Sequence, residues 1–299
     1  MSKRESIARY TLIIKKLRKK PATFREISEY LQMESELQEY NFNVSMRTFQ
    51  RDIDDIRSLY NIDIRYNFSS RVYHIDSEFK EEINERIFEA FDTFNLMKIE
   101  EKPNDILIFE NRGPKGTEHM FILMHAIKNN LILSFVYSKF SEDDISRRTV
   151  EPYALKEFKN RWYLLAKDDD DTYKTFGLDR MQDPQVSNKR FSSDRSFSIR
   201  NFFQHCFGIV MPQDKDPEEI ILSFKPIYGN YIKTLPLHPS QKIILENKNE
   251  LRISLFIYLT QDFITELLSH GSRVKVMSPG FLVEELKNRL KENIAQYKN

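Results

Sequence analysis

The sequence predicts an α+β chain in three folded parts, and three observations predict it. The N-terminal quarter carries three helical hydrophobic periods followed by two short alternating strands. The middle is a run of β-branched and aromatic strands joined by polar turns. The C-terminal third alternates strand, helix, strand, strand, helix, strand, and ends in a long amphipathic helix. A length of 299 residues is enough for two or three domains, each with its own core.

Composition narrows the function classes. Forty per cent hydrophobic and 30% charged residues is ordinary for a globular chain, and only 7 glycines disfavour a glycine-rich loop enzyme. The single cysteine, Cys206, excludes an internal disulfide. MSKRESIARY has no apolar run of the signal-peptide kind, and no stretch approaches the roughly 18 uninterrupted apolar residues of a membrane span. A cytoplasmic location without a membrane partner is therefore expected. The formal net charge of +1 gives no global attraction for nucleic acid, so such binding must come from a local patch. The first 75 residues hold a surplus of Lys and Arg, concentrated around KKLRKK.

Residues 1–78 divide into three helices and a hairpin. Ile7, Tyr10, Ile13, Ile14 and Leu17 share helical spacing, and Pro21 stops that helix. Thr23 and Glu26 form a capping-box pair before a second stripe of Phe24, Ile27, Tyr30 and Leu31. From Ser45, the segment SMRTFQRDIDDIRSLY spaces Phe49, Ile53, Ile56 and Tyr60 on one face and Arg47, Arg51, Asp54 and Ser58 on the other. IDIRYNFSSRVYHI then reads as two strands about a turn at residues 67–70. Three helices followed by a two-stranded wing is the order of a winged helix-turn-helix. SMRTFQRDIDDI is similar to the recognition helix of the DeoR-like regulators, with its R-T, hydrophobe, R-D-[IL] wording. The resemblance implies a helix in the major groove of double-stranded operator DNA. Arg47, Thr48, Gln50 and Arg51 have the chemistry to read bases or phosphates there, while Arg65 and Arg71 on the wing suit backbone or minor-groove contacts. Asp52, Asp54 and Asp55 read as helix-dipole partners or intrahelical ion pairs. The polar segment ESELQEYNFNV is longer than a tight helix-turn-helix turn.

Residues 79–116 read as a helical connector, with Ile83, Ile87, Phe91 and Phe94 apolar and the loop signals KPND and NRGPKG after them. GPKG lacks the GK[ST] ending of a phosphate loop and reads as a turn.

Residues 117–200 form the middle domain. A helix from Thr117 leads into the strand LILSFVYS, then SRRTVEPYALKEF, RWYLLAK and TYKTFGLDRM, the last two a hairpin across the acidic turn DDDDT. Strand alternation puts Trp162, Leu164 and Ala166 on the core face and Arg161, Tyr163, Leu165 and Lys167 on the other. The aspartates read as a solvated turn rather than a metal site. VEPYALKEFKNRWYLLAKDDDDTYKTFGLDRM is similar to the WYL domain, through its Pro-Tyr, Trp-Tyr-Leu and F-x-L-D-R-[IM] blocks in order. The resemblance implies a small Sm-like or SH3-like β-barrel that binds negatively charged ligands, single-stranded nucleic acid or nucleotides among them. Arg148 and Arg180 fall on the positions of its basic pocket, with Tyr137 and Tyr163 beside them. Guanidinium forks suit phosphate and tyrosines suit base stacking.

In residues 201–299, FFQHCF offers His205 and Cys206 without the further ligands of a metal set. The strands EEIILSF, KIILEN, LRISLFIYL and RVKVMS, with helices between, give the βαββαβ order of a ferredoxin-like domain, which resembles the extension that follows WYL domains. Lys233, Lys242, Arg252 and Lys275 are its accessible cations. The expectation for the whole is a bacterial DNA-binding transcriptional regulator, a homodimer, whose WYL domain senses a nucleic acid or nucleotide. The alternative is an accessory single-stranded RNA- or DNA-binding protein that tunes a CRISPR-type defence effector. HExxH, GxSxG, Walker and paired-cysteine motifs are lacking, so neither catalysis nor a cofactor is expected.

Overall fold

The computed structural model describes residues 3–38, 40–60, 62–76, 115–140, 145–192, 197–212 and 214–297, with isolated positions between 86 and 113. The connector expected at 79–116 falls almost wholly outside them. The chain divides into two units, Met1–Glu110 and Asn111–Asn299.

In the first unit, α1 (Lys3–Lys19), α2 (Phe24–Gln38) and α3 (Met46–Tyr60) precede the antiparallel pair β1 (Ile64–Asn67) and β2 (Val72–Ile75). The capping box forms: Thr23 N donates to Glu26 Oε2 at 2.7 Å, and Glu26 N donates to Thr23 Oγ1 at 3.2 Å. Ile13, Ile14, Ile27, Leu31, Phe49 and Ile56 meet in one core, each contributing about 1.5–3 kcal/mol by leaving water. The polar stretch after α2 is shorter than the sequence suggests, because α2 runs on to Gln38. Phe42 anchors what remains: its ring is fully buried and its N donates to Ser35 Oγ at 2.9 Å. β2 is tied to the α1–α2 turn by Tyr73 N to Ala22 O (2.8 Å) and Ala22 N to Tyr73 O (3.0 Å).

One expectation in this unit is corrected. Asp52 is not a dipole partner or a member of an intrahelical pair. It is fully buried and takes a two-pronged bond from the equally buried Arg9 of α1, Nε to Oδ2 at 2.7 Å and a terminal nitrogen to Oδ1 at 2.9 Å. Asp55 accepts from Tyr10 Oη at 2.6 Å. A charge-assisted clamp thus fixes α3 against α1 from its inner side.

The second unit holds two antiparallel sheets. After a 3-10 turn at Thr117–His119, α4 (Met120–Asn129) packs Leu123 and Ala126 onto the first sheet. That sheet comprises β3 (Leu131–Ser138), β4 (Ile145–Phe158), β5 (Arg161–Lys167), β6 (Tyr173–Gly177) and β7 (Met181–Arg190), in the order β6-β5-β4-β3-β7. The expected small barrel is therefore not closed: β6 and β7 are the two edges and do not pair. The fourteen-residue β4 lends one end to β3 and the other to β5, with a bulge between Pro152 and Ala154. The chain leaves β6 through a 3-10 turn, Leu178–Arg180, where the sequence suggested continuing strand. Leu164 and Ala166 lie in the core under α4 with Trp162 packed on them.

Phe197 and α5 (Ile199–Phe203) lead to the second sheet. β8 (Glu218–Phe224), α6 (Pro226–Thr234), β9 (Lys242–Glu246), β10 (Leu251–Ile257), α7 (Gln261–Ser269), β11 (Val274–Ser278) and α8 (Gly280–Ala295) give the strand order β11-β8-β10-β9. Ile220, Leu222, Ile253, Leu255 and Phe263 form its core. The turn between β4 and β5 joins the two sheets: Phe158 packs on Phe207 at 5.8 Å, and Lys159 pairs with Glu266 at 2.7 Å.

Candidate functional site

A cavity of about 480 Å³ opens beside the first sheet of the second unit. It is built from strand ends. β3 supplies Tyr137, β4 Arg148, β5 Leu165, and the edge strand β6 supplies Tyr173, Lys174, Thr175 and Phe176, while Arg180 comes from the turn that follows. The far wall comes from beyond the sheet: Phe202 of α5 and the segment Ile209, Val210 and Met211. Three of the four residues expected to bind ligand thus meet in one place. Tyr163 does not line the cavity. It sits on β5 opposite Gly177, buried enough that desolvation pushes its phenol pKa up.

Arg148, Lys174 and Arg180 of the cavity are held in two ways. Arg148 donates to Ser146 Oγ at 3.1 Å and to Asp168 Oδ2 at 3.3 Å, and Lys174 reaches the same Asp168 oxygen at 2.8 Å. Asp168 has a side chain only 3% exposed. The acidic run is therefore not a uniformly solvated turn. Its first residue turns inward as the shared counter-charge of two cavity cations, because two cations near one site need a compensating anion. Its neighbour Asp170 also takes a hydrogen bond from Lys174, which with Thr172 holds its carboxyl down at about 2. These bonds push the Lys174 pKa up, so it remains a cation at neutral pH.

Arg180 is held by rings rather than by hydrogen bonds. Its guanidinium lies 4.4 Å from the Phe140 ring centre and 5.2 Å from that of Tyr137. Its Nε is 3.8 Å from Asp179 Oδ1, and both atoms are buried without a hydrogen-bond partner. Asp179 is turned instead to Arg161, at 2.6 Å. Tyr137 combines two roles, since its hydroxyl accepts from Gly177 N at 3.1 Å while its ring supports Arg180. Burial dominates its titration and pushes the phenol pKa up.

Gly177 makes this arrangement possible. A Cβ there would stand 2.7 Å from Asp179 Oδ1 and 2.9 Å from an Arg180 nitrogen. Gly177→Ala is expected to leave the fold and the Trp162 fluorescence unchanged while displacing the guanidinium. If the cavity takes a single-stranded oligonucleotide, its affinity should fall about tenfold, the loss of one charge-assisted bond. Unchanged affinity would show that the Arg180 position does not matter.

The first unit presents a second charged surface. On α3, Arg47, Gln50, Arg51 and Asp54 are exposed, with Thr48 half-buried. Ser45 Oγ and Thr48 Oγ1 bond at 3.0 Å, and Thr48 N donates to Ser45 Oγ at 3.2 Å, so Thr48 serves the helix start. On the wing, Arg65 pairs with Asp63 (2.8 Å) and Asp76 (2.6 Å), whereas Arg71 is exposed at the turn with a positive φ of 57°.

The sequence reading missed Lys174, Asp168 and the wall from Phe202 to Met211. Lys174 and Asp168 carry a weak signal, since both stand in the stretch that resembles the WYL domain, between its Trp-Tyr-Leu and F-x-L-D-R-[IM] blocks. Phe202 and Ile209–Met211 carry none, because nothing local ties them to strands more than twenty residues away.

The cavity is thus strand-built and gathers cationic side chains with the rings of Tyr137, Tyr173, Phe176 and Phe202. Residues 118–186 match the WYL domain, so the chain contains one, and the cavity is formed by it together with residues that follow. A comparison with curated proteins finds no match. Two solved structures align over nearly all of the chain. One is proteasome accessory factor B/C (PafBC) of Arthrobacter aurescens, at 16% identity and TM-score 0.39, covering 96% of this chain and 46% of that one. The other is a CRISPR Cas-related protein, at 11% identity and TM-score 0.41, covering 98% and 83%. The chain spans about half the length of PafBC. Among the described residues, no helix is long and apolar enough to cross a membrane.

Proposed function

We propose that this is a DNA-binding transcriptional regulator whose WYL domain senses a single-stranded nucleic acid or a nucleotide. In this reading the first unit is a winged helix-turn-helix, α3 is its recognition helix, and the second sheet is a ferredoxin-like extension. The protein works in the cytoplasm as a homodimer on two operator half-sites, without catalysis. One observation carries the reading: Arg47, Gln50 and Arg51 stand exposed on the outer face of a helix whose inner face is clamped by the buried Arg9–Asp52 pair. Rigid presentation of guanidinium and amide groups is what base readout requires. That exposed row favours duplex binding over the accessory single-strand alternative. Ligand in the cavity acts on transcription to the extent that it binds the DNA-competent and incompetent arrangements unequally.

The test is Arg47→Ala with Arg51→Ala, measured by anisotropy at fixed salt on duplexes that the full chain selects from a random-sequence pool. Affinity is expected to fall on the order of 100-fold, as two base or phosphate contacts are lost. An unchanged affinity removes α3 from the interface.

A further inference from the structure

The wing carries an aromatic side chain that the core does not use. Phe68, at the hairpin tip, is 84% exposed. It is the last of a continuous series of rings that begins in the core. Phe24 meets Phe49 at 5.3 Å, Phe49 meets Tyr73 at 4.9 Å, Tyr73 meets Tyr66 at 4.9 Å, and Tyr66 meets Phe68 edge-on at 5.0 Å. Exposure rises along the series, from 0% at Phe49 to 38% at Tyr66 and 84% at Phe68. The tip backbone is fixed as well, because Asn67 Oδ1 accepts from Ser69 N at 2.9 Å and from Ser70 N at 3.1 Å. A phenyl group is thus held out in solvent on a rigid support, against its own hydrophobic cost.

What covers it follows from its neighbours. Tyr73 Oη lies 3.7 Å from Met46 Sδ, which sets the wing beside the first turn of α3, where Arg47 is exposed, one turn before the exposed Arg51. Arg71 is exposed at the same hairpin turn as Phe68. A polyanion neutralised by these guanidinium groups brings its surface to the ring. Of polyanions, duplex DNA also offers an apolar slot, the gap between stacked base pairs.

We infer that Phe68 is a wedge that inserts at a base step in the minor groove and unstacks it, bending the duplex. The inference rests on the DNA-binding reading and adds to it a source of specificity, since flexible pyrimidine–purine steps open at the least cost. Wedges of this kind kink DNA by roughly 20–90°.

The test uses the full chain and duplexes it selects from a random-sequence pool. Each is resynthesised with 2-aminopurine, an adenine analogue whose fluorescence rises on unstacking, at one step at a time. Wild-type protein and Phe68→Leu are expected to give a rise at a step beneath the wing and a bend in gel mobility. Phe68→Ser should lose both while keeping the salt dependence of binding, because the phenyl contacts no phosphate. A complex that forms without any rise, or a rise that persists in Phe68→Ser, overturns the wedge alone. A pool that yields no bound duplex overturns the wedge and the DNA-binding reading together.

Discussion

Asp52→Ala is expected to destabilise the N-terminal unit by roughly 3–5 kcal/mol, because it takes the two-pronged carboxylate bond away from the buried Arg9 guanidinium. Both side chains are 0% exposed, so water cannot take over the lost bonds. The cost should vanish in large part when both partners go together: Arg9→Met with Asp52→Leu replaces two desolvated charges with apolar volume. The only tryptophan, Trp162, lies in the other unit. Hydrogen exchange over residues 3–76 is therefore the measurement that isolates the effect. A single Asp52→Ala change costing under about 1 kcal/mol would mean that the pair is not buried in solution. Loss of DNA affinity in Asp52→Ala, recovered in the double variant, would also show that the clamp serves α3 through rigidity rather than contact.

Arg148→Ala and Arg180→Ala are expected to weaken binding of a fluorescent single-stranded oligonucleotide by about 10- to 100-fold each, the worth of one charge-assisted hydrogen bond. Affinity of ligand-free protein for selected duplexes should not change. The two variants differ in their side effects. Removing Arg148 leaves the buried Asp168 with Lys174 still bound to it at 2.8 Å, so the fold is protected. Removing Arg180 leaves no hydrogen-bonded carboxylate behind, since its Nε has no such partner and Asp179 is held by Arg161. Arg180→Ala should therefore be the cleaner probe of the cavity. If either variant unfolds, as reported by Trp162 fluorescence, its arginine is structural; if both fold and bind as before, the cavity is not the ligand site.

Much of the local structure was legible because it repeats at short range. The 4, 3, 4 spacing of Phe49, Ile53, Ile56 and Tyr60 placed Arg47 and Arg51 on the outer face of α3, and Thr23 with Glu26 marked the start of α2. Strand alternation assigned Leu164 and Ala166 to the core. The resemblance to the WYL domain also placed Tyr137, Arg148, Tyr163 and Arg180 in one expected pocket, and all but Tyr163 line the cavity. Alternation did not reveal that Tyr163 would be covered as well, because Arg161 and Lys167 at the two ends of its face give that face a polar pattern although its middle is buried.

The sequence alone determined the order of helices and strands, the apolar stripes of α1, α2 and α3 and which residue types could meet an anion, since each depends on neighbours a few positions apart. Tertiary structure alone decided which charges are consumed inside. Arg9 meets Asp52 across 43 positions, and Asp168 turns from an acidic run to hold Arg148 and Lys174. It also decided that Phe202 and Ile209–Met211 close the cavity. The reason is desolvation: whether a charge is a surface ornament or a buried clamp depends on what excludes water from it, and the excluding residues come from distant parts of the chain.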